Sequence, residues 1–308
     1  MDIDRLTLSD GRSFPWSIIL QGTLENEQDS FDKFLRELGT PLFRIESRLT
    51  AGNYDSLQPM TDQLLKRTAK TNGRSHYIAC AASFHDRLNR GNREAASVPL
   101  IQILRMRAQH PELKTLDDRL GLRFSDSICL DLLPIWFDKP AAEQALEKIA
   151  KEPISPADAI YRDSLEVFVG NKNVPANLTP PHSETWGPLL VAQSALLNEK
   201  PADALDSVGN PTLNMGTAPH ALALYYAGLA MRDLDAMDPN VKTASWKLTL
   251  LKVPALYEDD YPELSAAAIY QILNNPSNPS NDYESLRNEL TNRFRDTWYG
   301  RKFQSNKE

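Results

Sequence analysis

The feature that most constrains this chain is a succession of helix-length segments with little between them. From residue 41 to residue 299, stretches of about 12 to 20 residues repeat apolar side chains at the helical period, and short breaks with Gly, Pro or Asn separate them. Convincing strand alternation does not occur between these segments, which disfavours a fold of alternating strands and helices. The sequence therefore predicts an all-α fold. The predicted helices are 41–51, 56–70, 75–90, 93–109, 115–121, 125–137, 140–151, 156–169, 187–198, 201–207, 218–235, 240–253, 262–274 and 282–299.

The first 40 residues have a different character. Two short runs, 5–8 and 13–16, flank the turn signal at 9–12, and this pattern is typical of a β-hairpin. An amphipathic stretch at 31–38 follows and predicts one helix. An isolated hairpin is marginally stable, so residues 1–40 are expected to form a small hairpin and a cap helix that pack on the helical array.

A Pro- and Asn-rich break at 170–187 is the longest interruption and the predicted linker between two lobes, 41–169 and 188–308, the second ending in a capping helix. The lobes differ in charge. Residues 66–123 contain twelve Lys/Arg and five Asp/Glu, a net +7, whereas residues 184–263 contain five and eleven, a net −6. Such asymmetry concerns partners and steering rather than fold.

Several turns between helices carry short signatures. Residues 51–57 supply a glycine turn with Tyr54, and residues 90–96 supply a glycine turn followed by alanines. A Lys-Pro turn occurs twice, at 138–146 and 199–205, with proline in the first helical turn, where its missing N–H has no partner. These turns resemble those of tetratricopeptide repeats. The last pair, 262–271 and 283–302, is similar to the pairs of bacterial envelope-assembly proteins of that kind, with Arg295 in place of the usual proline.

The resemblance covers most of 41–302 and implies a right-handed α-solenoid of tetratricopeptide-like helix pairs. One pair cannot bury its whole apolar stripe, so neighbours stack into a curved array with an extended concave surface. The resemblance thus implies a non-enzymatic scaffold that presents this surface to a protein or peptide partner.

Motifs for catalysis are missing from the sequence. It contains no paired metal-ligand spacing, no nucleophile elbow, no phosphate-binding loop and no dinucleotide fingerprint. The nearest approach to a metal site is His76 with Cys80 one helical turn later, a pair that inter-helix packing explains more simply. The paired acids at 117–118 and 258–260 fall in turns, where solvated charges are usual. We therefore predict no catalytic residue, cofactor or metal.

Exposed cations and aromatic residues are the candidates for partner binding. They come from the basic segment and the final helix, and they are Arg87, Arg90, Arg93, Arg105, Arg107, Arg295, Trp298 and Arg301. The simpler interpretation is that the arginines pair with neighbouring acids such as Glu94, Glu112 or Asp117. A nucleic-acid or polyanion-associated protein is one alternative function, against which the overall charge of −7 argues. A helical-toroid glycan-processing enzyme is the other, because helix pairs in series also build toroids.

The sequence also bears on compartment. It has no apolar stretch approaching the roughly 18 residues of a membrane-spanning helix, and its first residues lack the features of a secretory signal. A cytoplasmic protein is expected from the chain as written, and a periplasmic or envelope protein if the chain is a trimmed mature form. Cys80 and Cys129 lie in apolar stretches and are expected to act as small hydrophobic residues rather than to form a disulfide.

Overall fold

A computed structural model describes residues 5–7, 13–15, 40–69, 73–125, 128–149, 152–170, 182–212, 215–237, 245–275 and 283–305. Most of these residues are helical, which confirms the predicted all-α class. The α-helices in chain order are α1 Thr40–Thr50, α2 Gln58–Thr68, α3 Arg74–Asn89, α4 Arg93–Gln109, α5 Lys139–Lys148, α6 Pro156–Val169, α7 His182–Leu197, α8 Pro201–Val208, α9 Thr217–Met237, α10 Ser245–Tyr257, α11 Pro262–Leu273, α12 Glu284–Asn292 and α13 Trp298–Ser305.

Two short strands lie at the N-terminus. Strand β1, Arg5–Thr7, pairs antiparallel with β2, Ser13–Pro15, and places Leu6 opposite Phe14. The cap helix predicted at 31–38 lies outside the described residues. In the part of the chain that is described, no helix combines the length and the apolar character needed to cross a bilayer.

Helix starts follow the capping signals in the sequence. Asp138 precedes α5, and its carboxylate accepts a hydrogen bond from the Ala141 amide. Ser155 precedes α6, and its hydroxyl oxygen accepts a hydrogen bond from the Asp158 amide. Each of these caps satisfies one amide that the first helical turn leaves without an intrahelical partner. Helix α6 ends at Gly170, whose φ of 89° suits a residue without a side chain.

Helices pack in chain order. Consecutive helices pack on one another in the pairs α2–α3, α3–α4, α4–α5, α5–α6, α6–α7, α7–α8, α8–α9, α9–α10 and α10–α11. Contacts also skip one helix, as α1 with α3, α4 with α6, α7 with α9, α9 with α11 and α11 with α13. The apolar core is consequently continuous along the array.

The last helix returns to the first half of the chain. The ring of Phe137, just before α5, lies 5.5 Å from that of Trp298 and 4.8 Å from that of Tyr299, both in α13. Beside them, the Arg301 guanidinium fills the space next to Gly91, where a Cβ atom would lie 1.5 Å from one of its nitrogens. The described helical array therefore curls back on itself.

Two predicted helices are wrong. Residues 115–121 contain the end of one 3₁₀ turn, Pro111–Leu116, and a second, Asp118–Leu120. Residues 125–137 contain strand β4, Ile128–Cys129, which pairs with β3, Phe124–Ser125. Pro134 opposes a helix interior because it lacks an N–H and clashes with the preceding turn. Instead, the Tyr161 hydroxyl accepts a hydrogen bond from the Cys129 amide at 3.1 Å and donates one to the Leu132 carbonyl at 2.6 Å. A side chain thus satisfies backbone groups of this irregular segment.

The final predicted helix, 282–299, is wrong as one element, because the structure has α12 and α13 with a turn between them. The Thr297 hydroxyl accepts a hydrogen bond from the Gly300 amide and thereby caps a new helix. Helix α7 also starts five residues earlier than predicted. Residues 182–187 of the predicted linker are therefore helical, and α6 packs on α7 across the break.

Candidate functional site

An open cleft of about 640 Å³ lies where the first half of the chain meets the start of α11. We call it the central cleft. Its lining residues come from five separate parts of the sequence and are Tyr54, His85, Leu88, Asn89, Arg93, Asp118, Gly121, Leu122, Arg123, Asp131 and Glu263.

One wall of the central cleft is built around His85. Its ring stacks on Tyr54 at 4.3 Å, and its Nε2 lies 3.0 Å from the Leu120 carbonyl oxygen. Burial lowers the pKa of His85 to about 4, so the imidazole is neutral at pH 7 and Nε2 donates its proton to that carbonyl. Gly121 follows with φ of 69°, and a Cβ there would lie 2.6 Å from the Tyr54 hydroxyl. These contacts fix the shape of the wall, and the Nε2 proton of His85 is used in a hydrogen bond within the fold.

Arg123 of the basic segment lies close enough to Asp260, in the turn before α11, for the two charges to interact. Arg123 donates from Nε to Asp131 Oδ1 at 2.9 Å, and this bond, followed by the charges of Asp131 and Asp260, raises the pKa of Arg123. From the other side, Glu263 Oε2 accepts a hydrogen bond from the Trp298 amide at 3.0 Å. The acidic turn before α11 thus faces the basic segment within the molecule.

A smaller cavity of about 90 Å³ adjoins the central cleft, and we call it the inner cavity. The two share Arg93, Arg123, Asp131 and Glu263 as lining residues. The remaining walls of the inner cavity are mostly apolar and consist of Leu130, Leu133, Ile135, Asp260, Tyr261, Pro262 and Leu264.

Arg93 is the most unusual charge at this site. Its side chain is 2% exposed, and its Nη2 donates to the Leu133 carbonyl at 3.3 Å. Its guanidinium carbon lies 5.6 Å from the centre of the Phe137 ring, and its Nε is buried without a hydrogen-bond partner. The adjacent acid, Glu94, is engaged elsewhere, since it accepts hydrogen bonds from the amides of Phe137 and Asp138. Arg93 is therefore a buried cation that has no ion pair with any described carboxylate.

Three of the predicted binding arginines are used inside the fold. Arg105 pairs with the fully buried Asp158 at 3.0 Å, and Arg107 is hydrogen-bonded to Asp117. Arg87 donates to a backbone carbonyl of α4 at 2.7 Å, and burial lowers its pKa. None of the three lines the central cleft.

The other predicted residues divide into a junction and a surface group. Arg93, Trp298 and Arg301 come together around Phe137 and Gly91. Arg90 and Arg295 are exposed, each beside an acid, Asp86 at 2.8 Å and Asp296 at 3.3 Å respectively.

Sequence reasoning missed Tyr54, His85, Asp131 and Glu263 as cleft residues. Asp131 lies in residues 125–137, which the sequence wrongly predicts to be helical. Glu263 is an acidic residue in a first helical turn, where acidic residues are common. The chain gives no local sign that these positions meet, because Glu263 lies more than a hundred positions from the other three, which are themselves in separate segments.

The candidate metal pair is buried in packing. His76 Nε2 lies 3.6 Å from Cys80 Sγ, its Nδ1 lies 3.0 Å from the Thr68 hydroxyl, and burial raises the pKa of Cys80 to about 12. Cys80 and Cys129 are both free thiols. Among the described residues, no three or more His, Cys, Asp or Glu side chains converge as a metal site.

Comparison with known proteins adds no relative. No family model matches the chain, and no curated protein and no solved structure is significantly similar to it. Its function is therefore inferred from the geometry of the cleft and the helices.

Proposed function

We propose that this chain is a non-enzymatic scaffold that binds a protein or peptide partner, built as a strongly curved right-handed α-solenoid of tetratricopeptide-like pairs with a small N-terminal hairpin. The observation that carries the proposal is the packing order, in which each helix contacts the next and several contact the next but one. Arrays of this kind present extended concave surfaces, which such proteins use for binding.

The central cleft is the proposed docking site. Its volume of about 640 Å³ falls within the range typical of ligand pockets, roughly 300 to 1,000 Å³, which suits a few side chains of a partner segment. It combines the half-buried, apolar Leu88 with the exposed charges of Asp118 and Arg123. Such a mixture offers apolar contact together with polar groups that select a partner.

The polyanion alternative has less support. Arg105 and Arg107, which the sequence suggested as part of a basic surface, are paired with the buried carboxylates of Asp158 and Asp117. A paired arginine offers little net charge to a phosphate backbone, whose recognition depends on neutralising several phosphates.

The helical-toroid enzyme remains a second candidate because the array curls back around a cleft that contains Asp118, Asp131 and Glu263. This alternative predicts hydrolysis of a soluble glycan that falls at least a hundredfold in Asp131→Asn. The scaffold proposal predicts no turnover in either protein, as measured by release of reducing sugar.

Charge reversal inside the cleft tests the proposal. Asp118 is exposed within the cleft, and Glu112 is an exposed acid in the preceding 3₁₀ turn but outside the cleft. Asp118→Arg and Glu112→Arg make the same change in net charge. The intact chain and both variants are immobilised, captured proteins are identified by mass spectrometry, and each is purified and titrated at low and high salt.

We expect one purified partner to bind the intact chain and Glu112→Arg with equal affinity, and Asp118→Arg about tenfold or more weakly, because a like charge then faces the partner. Binding that survives high salt is expected, since the cleft also offers apolar contacts. Equal affinity for all three proteins would contradict docking in the cleft. Capture of nucleic acid, lost at high salt, would favour the polyanion alternative.

A further inference from the structure

The inner cavity has the properties of a small-molecule site in its own right. We propose that it binds a small monocarboxylate with a short aliphatic body, whose carboxylate is held by Arg93. This site adjoins the central cleft proposed for docking of a macromolecular partner, and the two are tested with different probes.

The charge of Arg93 is the first step of the argument. A buried charge is costly unless it is paired, and Arg93 has one long hydrogen bond to a backbone carbonyl, while its Nε has no partner. Guanidinium groups match carboxylates closely, because parallel N–H donors face two oxygens. An anion in the inner cavity would supply the missing counter-charge.

The acids around the inner cavity do not supply that charge. Asp131 is paired with Arg123 through Oδ1, while its Oδ2 is buried without a hydrogen-bond partner, and Glu263 Oε2 accepts a hydrogen bond from the Trp298 amide. Asp260 is exposed to solvent at the rim. Their charges repel any anion, and they therefore disfavour a phosphate dianion more strongly than a ligand with a single negative charge.

The walls determine the rest of the ligand. Leu133, Ile135 and Leu264 are buried apolar side chains that line the inner cavity, so the body of the ligand is aliphatic. About 10 to 15 Å³ suffices for one water molecule by the same measure, and a cavity of about 90 Å³ has room for a carboxylate with a few methylene groups. The central cleft, which shares Arg93 and Arg123 with the cavity, provides the entrance.

Occupancy also has a structural consequence. The walls come from residues 130–135 in the first half and from 260–264 before and within α11. A ligand in the cavity contacts both, so its binding stabilises the junction and raises the melting temperature as ligand concentration rises.

Calorimetric titration with defined probes tests the proposal on the full chain. The probes are butyrate, its uncharged isostere butyramide, acetate and inorganic phosphate. We expect butyrate to bind, acetate to bind about tenfold more weakly because it lacks two methylene groups, and butyramide and phosphate to bind at least tenfold more weakly. Butyramide or phosphate binding as tightly as butyrate would overturn the proposal, as would the absence of butyrate binding.

Variants place the ligand in the cavity. Arg93→Met removes the charge in similar volume and is expected to fold, since apolar replacement of a poorly paired buried charge is often neutral, and to weaken butyrate about 10- to 100-fold. Arg90→Met, at an exposed position three residues away, is the matched control and is expected to leave affinity unchanged. Equal affinity in Arg93→Met, or an equal loss in Arg90→Met, would overturn the assignment.

A second variant decides the question should Arg93→Met fail to fold. Leu130 is half-buried and lines the inner cavity, so Leu130→Phe narrows it while leaving Arg93 in place. Butyrate is expected to bind at least tenfold more weakly to this variant, and unchanged binding would exclude the cavity. Butyrate binding is expected to persist in Asp118→Arg, so failure of the scaffold proposal and failure of this one are distinguishable.

Discussion

The helices before residue 170 and those after residue 182 bury different kinds of side chain. The described buried residues of the first part include eight charged side chains, Glu46, Arg93, Glu94, Asp117, Asp158, Arg162, Asp163 and Glu166. Within the described residues after 182, no Asp, Glu, Lys or Arg is buried. The first part is thus organised by directional bonds to charges, and the second by the fit of apolar and aromatic side chains.

Glu94 and Asp158 illustrate the first part. Each carboxylate accepts bonds from the backbone, Glu94 from two amides before α5 and Asp158 from the Ile154 amide at 3.0 Å. These bonds hold irregular segments in place, because the backbone amides there have no partner within a helix. Removing such a carboxylate leaves buried amide donors without an acceptor. The stability of the first part is therefore expected to be sensitive to single substitutions.

The second part relies on close approach and on tyrosines. A Cβ at Gly228 would lie 2.6 Å from Leu250, so α9 and α10 meet closely at a position without a side chain. Tyr225 and Tyr226 pack beside one another, and burial raises the pKa of both above the ordinary value for tyrosine. This part is therefore expected to be sensitive to changes in side-chain volume.

The largest expected effect concerns Glu94 and Ser265, two buried polar residues in the two parts. Glu94→Leu leaves two amides unsatisfied and is expected to lower the free energy of unfolding by about 3 to 5 kcal/mol, because each bond to a charged acceptor contributes roughly 1.5 to 3 kcal/mol. Ser265→Ala removes a buried hydroxyl that has no partner and is expected to change it by less than about 0.5 kcal/mol. Urea denaturation measures both.

Glu94→Gln is the matched control, because it keeps one acceptor oxygen in the same position. We expect it to recover at least half of the loss seen in Glu94→Leu. A loss in Ser265→Ala as large as that in Glu94→Leu would erase the distinction between the two parts.

The next effect depends on pH and isolates His85. Its folded pKa of about 4 lies below the unfolded value of 6.5, so the unfolded state binds the proton first. The stability that neutral His85 contributes is complete above pH 6.5 and is lost as pH falls towards 4, by about 3 kcal/mol. His85→Phe keeps a ring on Tyr54 and removes this dependence.

Denaturation of the intact chain and of His85→Phe at pH 7 and pH 4.5 measures the effect. The difference between the two proteins at each pH cancels the titration of other groups, such as Asp117, whose pKa is raised by burial. We expect the intact chain to lose more stability on acidification than the variant. Parallel losses would show that His85 is not held neutral by the fold.

A smaller effect tests the close packing of the second part. Gly228→Ala places a methyl group against Leu250 and is expected to cost about 1 to 3 kcal/mol of overpacking, partly offset by about 1 kcal/mol of helix propensity. Gly187→Ala in α7 meets no atom within 4 Å and is expected to change the stability by less than about 1 kcal/mol, because Pro188 restricts a helical alanine before it and offsets the gain in helix propensity. Thermal denaturation measures both, and stabilisation by Gly228→Ala would contradict the close approach of α9 and α10.

The sequence predicted most of the helices and little of the site. Capping residues and prolines marked the starts of α5 and α6, because caps act locally on the first helical turn. The run at 125–137 was misread because a short apolar run does not distinguish a helix from an irregular buried segment. The break before α13 had a local signal in Thr297, which lies three residues before the amide it caps.

Local sequence patterns could not predict the central cleft, for a different reason. Arg93 was singled out from the sequence as one of several exposed cations, and the structure buries it. Its environment depends on Leu133, on Phe137 and, through Phe137, on Trp298, and no periodicity or spacing relates these positions. Contacts between distant segments decide which charge is paired and which is left for a ligand.

The central claim is that the array curls back so that α13 packs on the first half of the chain. A double-mutant cycle between Phe137→Leu and Trp298→Leu, measured by urea denaturation, tests it most directly. With the two rings 5.5 Å apart, we expect a coupling energy of about 0.5 to 1.5 kcal/mol. Additive losses, with coupling below about 0.3 kcal/mol, would contradict the closure and with it both the central cleft and the inner cavity.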